Sequence, residues 1–123
     1  ILNCHPGLLP DFRGCTCVEW AVYLDEQVGN TVHIMSEGID EGPIVLKEGL
    51  TFDKRDNYVD VRLKVYGAGV RLLASACHML VTGELSITDA VPQKDGRYFK
   101  VIDEEKMAEV HGILDRGEYA FQA

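Results

Sequence analysis

The chain has 123 residues, of which 46% are hydrophobic and 26% are charged, a composition typical of a soluble globular domain. Twelve lysines and arginines against 20 aspartates and glutamates give a net charge of −8. This charge opposes binding to a phosphate backbone, so we expect no nucleic-acid partner. No apolar run approaches the ~18–20 residues that cross a bilayer and no signal peptide opens the sequence, so we expect no membrane partner and a cytoplasmic location.

The first elements in chain order are a strand end, a helix and a second strand. Ile1 to Asn3 has the character of a buried strand that runs into a loop, and strands usually have about 5–6 residues. We therefore expect this chain to be the C-terminal portion of one domain whose N-terminal half is missing. A helix is predicted after Gly14, up to about Leu24, and a strand with alternating side chains is predicted from Thr31 to Met35.

The longest predicted element is a helix from about Asn57 to Thr82. Its apolar residues recur at steps of three and four, which predicts one buried stripe; they are Val61, Val65, Ala68, Leu72, Ala76 and Leu80. Asn57 with Asp60 is a start signal, and Gly83 is a stop signal. The other predicted elements are a strand from Ile44 toward Phe52, a strand over Arg97–Ile102 and a helix over Asp103–Arg116.

The order of these elements predicts an α/β fold with a mostly parallel sheet flanked by helices. In open sheets of that kind, ligands bind beyond the carboxyl ends of the strands. Two polar segments, 3–14 and 36–42, each follow a predicted strand, so we expect them at that edge. We also expect Asn3, His5 and Asp40 to converge on one wall of a cleft there.

One segment carries a specific likeness to known enzymes. The run from Asn3 to Pro10 is similar to the Asn-x-His-Pro-(Ser/Gly)-Leu-Leu-Pro signature of formyltransferases that use 10-formyltetrahydrofolate. The likeness continues at the right spacing through Arg13-Gly14, Trp20-Ala21, Thr31-Val32-His33 and Asp40-Glu41-Gly42-Pro43-Ile44. It implies a partial Rossmann-like formyltransferase fold and an enzyme of one-carbon metabolism, with 10-formyltetrahydrofolate as its co-substrate.

The resemblance implies that Asn3, His5 and Asp40 are catalytic, and the chemistry of formyl transfer gives each a task. A primary amine that attacks a formyl carbon produces a tetrahedral oxyanion and an excess proton, so the site needs hydrogen-bond donors and a proton acceptor. Asn3 offers amide donors, and His5 donates when protonated. Asp40 would favour the charged form of His5 and take the proton through a water.

Other residues have roles that are less closely fixed. The resemblance implies that the loop formed by Ser36, Glu37, Gly38, Ile39 and Asp40 binds the pterin ring through its backbone. Arg13 is the candidate anchor for a phosphate or carboxylate of the substrate, and an ordinary surface arginine is the alternative. We expect His33 to be a buried, hydrogen-bonded histidine that supports the catalytic residues.

The four cysteines are too few for a disulfide scaffold, and reduced thiols are the simpler interpretation. Cys15 and Cys17, together with Cys4 and His5, raise the possibility of zinc. Zinc sites prefer two to four residues between paired cysteines, and here there is one, so we expect no metal.

Several alternatives remain open at this level. Taken singly, Asn3 would be a cap or turn residue, His5 a loop histidine and Asp40 a turn residue. The acceptor would be a small-molecule amine, either an amino-sugar nucleotide or glycinamide ribonucleotide, and the motif details are more similar to the amino-sugar enzymes. A non-catalytic ligand-binding or regulatory remnant and a formyltetrahydrofolate hydrolase are the other candidates. We also expect a homo-oligomer, or association through an exposed sheet edge at Ile1 and Leu2.

Overall fold

Three helices and five strands are formed by residues 1–123, all of which the computed structural model describes. In chain order they are β1 (Leu2–His5), β2 (Arg13–Gly14), α1 (Cys17–Tyr23), β3 (Gly29–Ile34), β4 (Ile44–Gly49), α2 (Tyr58–Thr82), β5 (Tyr98–Phe99) and α3 (Glu104–Asp115). A short 3-10 helix, Ile87–Asp89, follows α2. The predicted α/β class is confirmed.

The main sheet has the order β1-β3-β4, and both of its strand pairs are antiparallel. The expectation of a mostly parallel sheet is therefore wrong for these strands. Residues 35–43 join β3 to β4, and this link is shorter than the dozen or more residues that a parallel crossover needs. Parallel pairing is confined to the two-residue strands β2 and β5 and to an isolated bridge between Phe52 and Gln122.

Most of the predicted elements are present, with shifted ends. The predicted helix after Gly14 begins only at Cys17. Helix α2 agrees with its prediction, because Asn57 and Asp60 form a reciprocal capping box and Gly83 closes the helix with φ 80°. The strand predicted over Arg97–Ile102 is reduced to β5.

The core lies where the three helices meet. It contains residues of α1, α2 and α3 and of the segments that flank them: Phe12, Cys17, Val18, Ala21, Val22, Val28, Phe52, Val61, Val65, Val110, Leu114 and Tyr119. The hydroxyl group of Tyr119 donates to the carbonyl oxygen of Glu26 at 2.6 Å and accepts from the N–H of Val28 at 2.9 Å. These bonds tie the C-terminal end of the chain to the loop before β3.

Helix α2 buries one stripe against the sheet and leaves a second apolar stripe exposed. Its buried residues include Val61, Val65, Ala68 and Ala76, in agreement with the predicted stripe. The exposed apolar residues of its outer stripe include Val59, Leu63, Tyr66 and Val70. By length and composition alone α2 could cross a membrane. The sequence-based expectation that no apolar segment is long enough to do so is therefore not met for this helix. A single helix of this kind is weak evidence for a membrane protein.

Strand β1 lies at the edge of the main sheet. It pairs with β3 on one side, and no strand of this chain pairs with it on the other. An open edge of this kind presents unpaired backbone groups to any other chain. Association through this edge stays a prediction.

The capping box of α2 gives a test of this part of the fold. Asn57→Ala removes the side-chain acceptor for the N–H of Asp60, now at 2.9 Å, and should lower the free energy of unfolding by about 1 kcal/mol. Thermal or urea unfolding measures this loss. The control is Thr51→Ala, at an exposed site just before the core residue Phe52. Equal stability of the two variants would show that the capping box does not stabilise α2.

Candidate functional site

Four polar side chains lie on one face of the β1–β3 pair. Asn3 is opposite His33 and His5 is opposite Thr31 in the antiparallel register. Residues directly opposite each other share a face, and residues two apart on a strand do so as well. Strand geometry alone thus places two of the predicted catalytic residues, Asn3 and His5, on the same sheet face as His33.

Asp40 reaches this face from the loop between β3 and β4. Its Oδ1 lies 3.5 Å from Nδ1 of His5 and 3.9 Å from Nε2 of His33. Asn3 completes the group, with its Nδ2 3.4 Å from Nε2 of His33. The expected convergence of Asn3, His5 and Asp40 is therefore found.

The route to this convergence differs from the one expected. In an antiparallel pair the carboxyl ends of the two strands lie at opposite ends of the ladder. His5, the last residue of β1, and Ile34, the last residue of β3, are therefore at opposite ends of the sheet. The loop after β3 instead folds back over the sheet face. Asp40 adopts a left-handed conformation with φ 54° in that loop, a backbone state that aspartate tolerates better than most residues.

The second oxygen of Asp40 is held by a backbone donor. The N–H of Gly14 donates to Oδ2 at 2.9 Å. Gly14 has φ 101°, and a Cβ at this position would lie 2.3 Å from the carbonyl oxygen of Phe99. Only glycine fits here without displacing β5, which explains why the Arg13-Gly14 pair follows the His-Pro motif at this point.

Both ring nitrogens of His5 face acceptors. Nε2 lies 2.6 Å from the carbonyl oxygen of Phe12, and because a carbonyl only accepts, Nε2 carries a hydrogen. Nδ1 faces the Asp40 carboxylate. In this conformation His5 has no free donor for an oxyanion, which leaves the Asn3 amide as the available donor and makes His5 a partner of Asp40.

His33 is 3% exposed, as expected for a buried supporting histidine. Burial lowers its pKa, and the nearby Asp40 carboxylate offsets only part of this effect. The ring is therefore neutral at pH 7. Its Nδ1 has no hydrogen-bond partner, so the expected hydrogen bonding is found at Nε2 alone.

Arg13 lies inside the fold and is not the surface arginine of the alternative interpretation. It is 6% exposed, and its guanidinium donates twice to Oε1 of Gln93, at 3.2 and 3.0 Å, and to the carbonyl oxygen of Lys94 at 2.8 Å. Three of the five guanidinium N–H donors are thus engaged within the chain, and a role of Arg13 in substrate binding stays a prediction. The sequence could not show these contacts, because the partners lie 80 and 81 residues further along the chain.

Gln93 links Arg13 to the Asp40 loop, and the sequence did not single it out. Its Nε2 donates to the carbonyl oxygens of Asp40 at 2.9 Å and Gly42 at 2.6 Å. Arg13 fixes the orientation of the Gln93 amide. The guanidinium donates to the amide oxygen, so the amide nitrogen faces the loop carbonyls and donates to them. Gln93 stands between predicted elements, where a lone glutamine gives no local signal of such a role.

The loop predicted to bind the pterin ring lies at the surface. Ser36, Glu37 and Ile39 are exposed, and Gly38 and Asp40 are partly exposed. Its backbone is accessible to a ligand, and its role stays a prediction. No group of three or more His, Cys, Asp or Glu side chains is arranged to hold a metal ion.

Comparison with known proteins places this site in a family. A family model described as "Formyl transferase" matches residues 1–77. Curated relatives include a methionyl-tRNA formyltransferase of Pelobacter propionicus, 29% identical over 93% of this chain and 34% of its own length. Another is the methionyl-tRNA formyltransferase of Thermosynechococcus vestitus, 33% identical over 76% of this chain and 27% of its own. The chain spans roughly a quarter to a third of the length of the curated relatives that it matches.

A solved structure has the same fold. The formyltransferase PseJ from Anoxybacillus kamchatkensis superposes with a TM-score of 0.76 at 22% identity, over 96% of this chain and 65% of its own. That protein was crystallised in complex with UDP-4,6-dideoxy-4-formamido-L-AltNAc and tetrahydrofolate. At this identity the likeness shows the fold alone.

Removing Gln93 should loosen the Asp40 loop. Gln93→Ala leaves the carbonyls of Asp40 and Gly42 and the Arg13 guanidinium without their partner, which should cost about 1–3 kcal/mol of stability. Hydrogen exchange at the N–H of Gly14 should accelerate, because its acceptor is an Asp40 oxygen. The matched control is Gln27→Ala, which loses one long contact of 3.4 Å. Unchanged exchange at Gly14 in Gln93→Ala would contradict the linkage.

The lowered pKa of His33 makes stability depend on pH. In the unfolded chain His33 has a pKa near 6.5, so below that pH it binds a proton. In the folded chain the buried ring binds this proton less readily. Stability should therefore fall as pH drops from about 7 to 5, and His33→Asn should reduce that slope. Urea unfolding at several pH values measures it. His78→Asn, at an exposed site on α2, should keep the wild-type slope; an identical slope in His33→Asn would contradict the account.

Proposed function

Because its residues 1–77 match the family model, this chain belongs to the formyl transferase family, and we propose that it transfers a formyl group from 10-formyltetrahydrofolate to a primary amine. One observation carries the proposal. Asn3, His5 and Asp40, separated by up to 37 positions, meet on one sheet face with the His5 and Asp40 side chains 3.5 Å apart. That arrangement supplies a donor and a proton acceptor at one place.

The reaction uses these groups in order. The amine lone pair attacks the formyl carbon, and the carbonyl electrons move to oxygen. The Asn3 amide donates to this oxyanion, whose charge develops in the transition state. Asp40 accepts the excess proton of the new ammonium group, directly or through a water. When the oxyanion collapses, the bond to the folate nitrogen breaks, and the proton held by Asp40 and His5 passes to that nitrogen.

Asp40 is prepared for this role by its neighbours. The N–H of Gly14 donates to Oδ2, and Gln93 holds the Asp40 backbone. His5 faces Oδ1, so that a proton on either residue is shared with the other. These contacts fix the carboxylate before substrate binds, and a fixed acceptor needs no reorganisation during the reaction.

The co-substrate would bind against the loop formed by residues 36–40. The exposed backbone of this loop offers N–H and C=O groups beside Asp40, and a pterin ring is bound by groups of this kind. The tetrahydrofolate in the PseJ complex supports this assignment, since the two proteins share a fold.

The acceptor we propose is the amine of a small molecule such as an amino-sugar nucleotide or glycinamide ribonucleotide. The net charge of −8 opposes a polyanionic acceptor. The sugar nucleotide bound to PseJ supports a small acceptor, whereas the curated relatives are methionyl-tRNA formyltransferases. An assay should therefore include a dTDP-linked amino sugar, glycinamide ribonucleotide and methionyl-tRNA.

Kinetics of two variants test the catalytic assignments. Asn3→Ala should lower kcat about 10²–10³-fold with little change in KM, because the lost donor acts on charge that develops only in the transition state. Asp40→Asn keeps the shape of the side chain but loses the proton acceptor, and should be at least as damaging. Release of tetrahydrofolate from 10-formyltetrahydrofolate in the presence of each acceptor measures both.

A matched variant controls for general effects of removing a carboxylate. Asp115→Asn changes an exposed aspartate at the end of α3 and should leave turnover unchanged. Near-wild-type turnover in Asp40→Asn would show that the proton leaves by another route. A wild-type chain that fails to bind a formyl-folate would instead support a non-catalytic remnant.

A further inference from the structure

A cleft of about 420 Å³ opens beside the catalytic histidine. Its lining comes from β1, β2, the first turns of α1 and α2 and one residue of α3, and includes His5, Gly14, Thr16, Glu19, Tyr58 and Arg62. Small-molecule sites typically have volumes of about 300–1,000 Å³. The cleft is therefore large enough for a small substrate, and two of its lining residues, His5 and Gly14, contact Asp40.

Arg62 is the only lysine or arginine among the residues that line this cleft. Its side chain is 45% exposed, and one guanidinium nitrogen, Nη1, lies 3.4 Å from Oε1 of Glu19. A guanidinium has five N–H donors arranged as a planar fork. Most of these donors remain free for a ligand in the cleft.

Glu19 holds Arg62 in this position and has a second partner at the same oxygen, Oε1. Its side chain is 4% exposed, and the hydroxyl group of Tyr58 donates to Oε1 at 2.9 Å. Burial and the neighbouring carboxylate raise the pKa of Tyr58 to about 12, so the hydroxyl keeps its proton and remains a donor. A buried carboxylate needs such partners, and in return it orients the guanidinium from beneath.

We propose that this cleft is the acceptor subsite and that Arg62, oriented by Glu19 and Tyr58, binds a phosphate or carboxylate group of the amine substrate. The planar fork of arginine matches both anions, and charge-assisted bonds of this kind are strong. With its anionic group at Arg62, the substrate would place its amine toward His5. The part of this inference that concerns the amine rests on the proposed function. The part that concerns anion binding rests on the cleft and Arg62 alone.

The net negative charge of the chain distinguishes the Arg62 cleft from the rest of the surface. A protein with a net charge of −8 repels anions at most of its surface. Within the cleft Arg62 offsets the negative charge of Glu19, and the Tyr58 hydroxyl donates a hydrogen bond to the same carboxylate. A neutral or cationic amine would gain nothing from Arg62, so the acceptor class is an amine that carries an anionic group.

Anion binding is tested with inorganic pyrophosphate as the probe, by calorimetry and by backbone amide NMR. We expect saturable binding to the wild type, with shifts at Thr16 and Tyr58. Arg62→Gln should weaken the affinity about tenfold or more, and Arg62→Lys, which keeps the charge but loses the fork, should fall between. The control is Arg71→Gln, an exposed arginine on the same helix, which should bind pyrophosphate as the wild type does. Thermal melts confirm that each variant folds.

The acceptor role is tested in the transfer assay. Arg62→Gln should raise KM for an anionic acceptor about tenfold and leave kcat within about twofold, because the contact is the same in the ground state and the transition state. Absence of pyrophosphate binding in the wild type, or equal binding in Arg62→Gln, would overturn the inference. Pyrophosphate binding without 5-formyltetrahydrofolate binding would refute the proposed function and leave the anion site standing. The reverse result would refute the anion site alone.

Discussion

The site depends on how one carboxylate is accommodated. The Asp40 side chain is 14% exposed, and a largely buried charge is costly unless donors surround it. Its partners come from separate parts of the chain: the ring of His5 and the N–H of Gly14 face the carboxylate, and Gln93 holds the loop backbone at Asp40 and Gly42. Accommodating the Asp40 carboxylate thus requires β1, β2, the β3–β4 loop and the segment before β5 to come together.

Strand direction determines which side chains can join that carboxylate. Because β1 and β3 run antiparallel, Asn3 and His33 are cross-strand neighbours, and His5 lies two residues along on the same face. The opposite face of the same strands packs against α2, where the amide of Asn30 donates to the carbonyl oxygen of Val65 at 3.0 Å. The sheet therefore separates a polar side, which carries the candidate catalytic residues, from the side that holds the helix.

The sequence predicted correctly those features that depend on a short motif or on neighbouring residues. It could not predict contacts between residues that are far apart in the chain. Asn3, His5 and Asp40 belong to a spaced motif, and the ends of α2 follow from caps that lie within a few residues of each other. The burial of Arg13 and the role of Gln93 arise from one long-range contact between them, which no local pattern encodes. Strand direction failed for a related reason: the order of elements favours a parallel sheet, and only the pairing register shows otherwise.

The most direct test of the central claim is where a formyl-folate binds on this chain. Titration of isotopically labelled protein with 5-formyltetrahydrofolate, followed by ¹⁵N NMR, reports on the Asn3 side-chain amide and on the backbone amides of residues 36–40. The account predicts saturable shifts at both, with small effects along the outer stripe of α2. Binding confined to another surface, or no saturable binding, would contradict it.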